Sequence, residues 1–83
     1  MPYVEQYKRP ELDQVVDCMI MNDVRPDGRL NYVLFKLCRE TIVPGYRNYR
    51  DFIAELNEAA AEIRRRFLVP YEDKKIVENG DVD

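Results

Sequence analysis

The sequence predicts an all-α protein, a small three-helix domain with an extended N-terminal arm and a short C-terminal helix. Two observations carry that prediction. Apolar residues recur at helical spacing in three separate segments, and Pro- and Gly-containing turns divide those segments from one another. The 83 residues suffice for one domain, 1–83, with a modest core.

Residues 1–9 show no helical period and read as an arm carrying Tyr3 and Tyr7. Pro10 suits the first position of a helix, where a missing N–H costs nothing. Glu11 and Asp13 then fall where the helix dipole favours acids. Leu12, Val15, Val16, Met19 and Ile20 form one stripe, so the first helix is placed at 10–23. Arg25-Pro26-Asp27-Gly28 is a turn signature, because proline pre-sets one dihedral angle and glycine accepts a positive one.

The second helix, 29–42, carries Leu30, Val33, Leu34, Leu37 and Thr41 on one face, widened by Phe35, Cys38 and Ile42. Its apolar arc covers roughly 200°, about twice an ordinary surface stripe. One side of that arc is expected to lie against a second copy, which makes the protein a homo-oligomer. Val43-Pro44-Gly45 breaks the helix. Asn48 is the expected N-cap of the third, paired with Asp51 in a capping-box arrangement. The third helix, 49–68, aligns Tyr49, Phe52, Ile53, Leu56, Ala60, Ile63 and Phe67, and Pro70 is expected to stop it. Residues 70–79 read as a weak short helix and 80–83 as a loose tail.

Composition narrows the chemistry. The chain has no His, no Ser and no Trp, which removes the commonest general base and the serine nucleophile. Neither Cys18 nor Cys38 has an imidazole to activate it, and two thiols twenty residues apart are no zinc spacing. Three scattered glycines build no phosphate loop. The expectation is a protein that is not an enzyme and uses no metal and no cofactor. The net charge of −3 arises wholly in residues 72–83, leaving a neutral body unsuited to duplex DNA. No apolar run is long enough to span a membrane, and the N-terminus lacks the pattern of a secretory signal. Two free thiols suit a cytoplasmic location.

Arg50, Asn57 and Arg64 are spaced seven apart and stack along one line beside the third helix's apolar stripe. Their donors suit a phosphate, a carboxylate or a base edge. The same line also reads as a packing seam against acids of a neighbouring helix, or as a subunit interface. Tyr46 and Arg47, just before it, interleave an aromatic with a cation, as nucleotide sites often do. The candidate ligand-binding residues are therefore Arg50, Asn57, Arg64, Tyr46 and Arg47, and the candidate ligand is a small anion such as a nucleotide.

Three stretches carry a family likeness: Asp27 to Cys38, Ala54 to Glu58 with Ala61 to Arg66, and Pro70-Tyr71-Glu72-Asp73-Lys74-Lys75-Ile76 with Glu78-Asn79-Gly80-Asp81. With Met1-Pro2-Tyr3 they resemble a family of short uncharacterised proteins from bacteria and their phages. The resemblance implies a phage accessory protein. By analogy of size and style, such a protein is a counter-defence sponge for a nucleotide signal, or a module that inhibits or adapts a host or phage protein.

Overall fold

The computed structural model describes residues 4–82, so the first three residues of the expected arm and residue 83 of the tail lie outside the described residues. The described residues are mostly helical and contain no strand, as the all-α reading requires. The chain divides into two compact units, Met1–Ile42 and Val43–Asp83.

In the first unit, Gln6–Lys8 forms one 3-10 turn that runs into α1, Arg9–Met21. The 3-10 turn inside the expected arm has a simple cause. Pro10 stands at the first turn of α1, and the Arg9 Nε–H donates to the Val4 carbonyl at 3.0 Å, drawing the arm back on itself. α1 ends two residues before the expected boundary because Asp23 turns left-handed, with φ +57°. The Asp23 N–H donates to Ile20 O and the Val24 N–H to Met19 O, which satisfies two carbonyls that a helix end leaves open. Val24 and Met19, the two residues that close this motif, are both half-buried.

The Asp23 carboxylate is also the centre of the turn that follows. It accepts from Arg25 Nε and, at 2.6 Å, from Arg29 Nη1, which also reaches the Asp23 carbonyl at 2.7 Å. Arg29 Nη2 lies 3.0 Å from Asp27 Oδ2. One guanidinium fork thus ties the end of α1 to the start of α2, Arg29–Thr41. Hydrogen bonds from Arg25 and then Arg29 hold the Asp23 carboxyl below its ordinary value, burial opposing them weakly. A depressed carboxylate contributes stability above its unfolded value of about 4 and loses it as pH falls through the folded value. An NMR titration should therefore find Asp23 below the ordinary aspartate value, and Arg29→Ala should raise it. An Asp23 carboxyl that titrates at the ordinary aspartate value would remove it from the turn.

α2 ends at Thr41, one residue before the expected boundary. Thr41 Oγ1 donates to Leu37 O at 2.6 Å, and Ile42 is already extended ahead of Val43, whose αR conformation Pro44 disfavours.

The second unit departs from expectation at two points. α3 runs Tyr46–Ile63, three residues earlier than the capping argument placed its start. Gly45 is the N-cap, and its carbonyl accepts from the Tyr49 N–H at 3.0 Å. Asn48 sits inside the first turn, and its side-chain amide donates to Val43 O at 2.9 Å. It satisfies the loop as a donor instead of capping the helix as an acceptor, so the expected pair with Asp51 does not form.

The second departure is larger. Pro70 does not stop the helix. A π-helical segment, Arg64–Leu68, follows α3 directly and leads without a break into α4, Val69–Asn79. The Val69 N–H reaches back five residues to Arg64 O, so the turn before the proline is widened. Pro70 then falls in the first turn of α4, where its missing N–H is tolerated. Gly80 ends α4 with φ +84°, its N–H donating to Ile76 O at 2.8 Å.

No described residue is buried. The expected core stripes stay open: Ile20 is 69% exposed on α1, Phe35 63% on α2 and Phe67 68% on the π segment. Leu34, Cys38, Phe52 and Leu56 are half-buried. Periodicity located the apolar faces, and those faces remain without full cover. No helix among the described residues is long and apolar enough to cross a membrane.

Candidate functional site

The arginine line lies on the second unit's continuous helix. Arg50 and Asn57 are within α3, and Arg64 is the first residue of the π segment. Arg64 keeps right-handed helical angles, φ −60° and ψ −48°, so the sevenfold spacing holds to its end. Arg47 precedes the line in the first turn of α3, and Tyr46 opens that helix.

All five side chains are exposed. The Arg50 guanidinium lies 5.7 Å from the centre of the Tyr46 ring, one helical turn earlier, a cation–π distance. Its Nε is 4.0 Å from Asp51 Oδ1, the outer limit of an ion pair. Arg47, Asn57 and Arg64 have no side-chain partner among the described residues. Arg50, Asn57 and Arg64 share one face by their spacing, and of the five residues Tyr46 and Arg50 alone are brought into contact. Arg50 is 56% exposed, so water solvates it. No buried cation here demands an acid, and the desolvation that would force a partner onto the line does not arise.

The neighbouring arginines behave differently. Arg65 Nη2 stands 2.6 Å from Glu62 Oε2 and Arg66 Nη1 stands 3.4 Å from Glu62 Oε1, at i,i+3 and i,i+4 spacing. Glu62 is half-buried. The spacing of Glu62 to Arg65 and Arg66 is a standard helical ion-pair signal. Two of three consecutive arginines are thus engaged along the helix, and Arg64 is left to the outer face.

Among the described residues, no group of three Cys, Asp or Glu side chains could hold a metal ion. Cys18 is exposed and Cys38 half-buried, both as free thiols. Chemically, this surface offers cations, an amide and an aromatic ring on an open helix face.

No curated protein matches the chain, and no solved structure matches it. A family model described as a domain of unknown function, DUF6899, matches residues 1–82. That match spans nearly the whole sequence, and the chain belongs to this family.

Proposed function

We propose that the protein is a non-catalytic helical interaction module that assembles with copies of itself. The observation that supports it is the exposure of large apolar side chains on every helix, including Val16 and Ile20 on α1, Phe35 and Leu37 on α2, and Ile53 and Ile63 on α3. Apolar surface favours burial at roughly 25 cal/mol per Å², and a set of short helices gains most of its stability by covering such faces. Arg39 lies 5.9 Å from the centre of the Phe35 ring, so this aromatic is flanked by a cation on its own helix, in the manner of a charged rim around an apolar contact.

Light scattering on the purified chain should give a mass at a multiple of 9.9 kDa. Phe35→Asp should lower that mass while circular dichroism shows helix retained. A wild type that stays monomeric at high concentration contradicts the reading.

A second reading, binding of a small anion such as a nucleotide, is favoured by one observation. Arg50 lies over Tyr46 while Arg47 and Arg64 have no acid partner among the described residues. A stacking ring beside free guanidinium groups is suited to a base and a phosphate. A sponge for a nucleotide signal would use this chemistry, whereas an adaptor or inhibitor of a host or phage protein would use the apolar faces. A bound ligand stabilises the folded state by mass action. Cyclic and linear nucleotides should then raise the melting temperature, and Arg50→Ala should abolish the rise. No shift with any nucleotide at millimolar concentration removes this reading.

A further inference from the structure

The continuous helix of the second unit carries a spacing finer than a general apolar stripe. Tyr46, Tyr49, Ile53, Leu56, Ala60, Ile63 and Phe67 follow one another at intervals of three and four without a break. In heptad terms Tyr46, Ile53, Ala60 and Phe67 occupy the a positions, and Tyr49, Leu56 and Ile63 the d positions. A strict repeat of seven makes a left-handed coiled-coil seam. Within its own unit the seam has no facing helix, because the unit consists of one helical run from α3 through the π segment to α4. Tyr46 is 81% exposed, Ile53 56% and Ile63 55%.

We infer that this seam pairs in parallel with the same seam of a second copy. The inference rests on the self-association proposed above and adds the α3 seam to the apolar faces named there. Arg50, Asn57 and Arg64 occupy the e positions that flank the seam, and Phe52, Ala59 and Arg66 the g positions. In a parallel pair each g faces the e of the partner's following heptad, which sets Phe52 beside Asn57 and Ala59 beside Arg64. No like charges meet. A fully overlapped antiparallel pair instead sets Arg50 opposite Arg64 at both ends, cation against cation with no acid at any g position to relieve it. Charge therefore selects the parallel arrangement.

The π segment marks where the seam stops. Phe67, inside that segment, is the last apolar residue of the repeat, and the next d position would be Pro70. Tyr46 to Phe67 spans about 32 Å at 1.5 Å per residue. The sevenfold arginine line then belongs to the flank of this interface.

The test uses the full chain with Cys18→Ala and Cys38→Ala. Two reporter variants, Tyr46→Cys and Phe67→Cys, are oxidised and run under denaturing, non-reducing conditions. Each should form a covalent dimer with itself, and a mixture should yield little cross-species product. Ile53→Asp should weaken association at least tenfold by light scattering, with helix content followed by circular dichroism. If Ile53→Asp does not fold, the reporters still read the seam. Crosslinking only between Tyr46→Cys and Phe67→Cys overturns the parallel pair. A multimeric wild type whose mass survives Ile53→Asp, with no reporter crosslink, overturns the seam and leaves self-association standing. A wild type monomeric at every concentration overturns both.

Discussion

Replacing Pro70 with alanine should stabilise the protein by on the order of 1–3 kcal/mol and convert the π segment to ordinary α-helix. Proline inside an α-helix removes the bond to the carbonyl four residues back and drives its ring into that carbonyl, at a cost of about 3 kcal/mol. Here that carbonyl belongs to Arg66. The chain widens the preceding turn instead, and the Val69 N–H is handed to Arg64 O, five residues back. The π geometry is the local answer to Pro70, and a helix with alanine at that position no longer needs it. The Val69 N–H should then move to Arg65 O. Amide exchange and Cα chemical shifts over residues 64–70 report the switch, and the melting temperature reports the gain. An unchanged melting temperature together with a retained π pattern would locate its cause elsewhere, in the clamp of Arg65 and Arg66 on Glu62.

Pro70 also shows where sequence reasoning stops short. A proline after a long apolar stripe is ordinarily a stop signal, and the sequence placed two helices where one continuous run exists. The alternative, a widened turn that carries the helix past the ring, depends on hydrogen bonds between residues five apart, and no apolar period records those. The start of α3 was missed for a related reason. Asn48 has the right side chain for an N-cap, yet Pro44 and Gly45 let the helix begin at once, leaving Asn48 a loop carbonyl to serve. By contrast, the Arg25-Pro26-Asp27-Gly28 turn and the end of α4 at Gly80 were legible, because Gly carries its conformational role in its identity.

The apolar faces were legible too, but a stripe states which side avoids water and not what covers it. For the candidate site, the common face of Arg50, Asn57 and Arg64 followed from spacing alone. The solvation of Arg50 did not, since it depends on how closely neighbouring side chains approach.

Gly28→Val should cost about 2–3 kcal/mol, while Gly45→Ala should be close to neutral. The two glycines bracket α2 and α3 as N-caps, and their backbones differ completely. Gly28 has φ +107°, where a side chain at Cβ is strained whatever the space around it. Nothing lies within 4 Å of a Cβ built there, so the cost is conformational and not steric crowding. Valine adds a branched Cβ to that strain. The backbone at Gly28 cannot relax cheaply, because its carbonyl accepts from the Tyr32 N–H at 2.9 Å and the turn before it is held by Arg29 on Asp23 and Asp27. Gly45 has φ 163°, extended backbone open to any residue, and an added Cβ meets the Asn48 amide at an ordinary 3.4 Å. A loss of 2–3 kcal/mol lowers the melting temperature of a domain this size by on the order of 10–20 °C. Gly28→Asn should fall between the two, since asparagine tolerates positive φ better than valine. Equal melting temperatures for Gly28→Val and Gly45→Ala would mean that the left-handed turn into α2 is not the conformation that holds the first unit together.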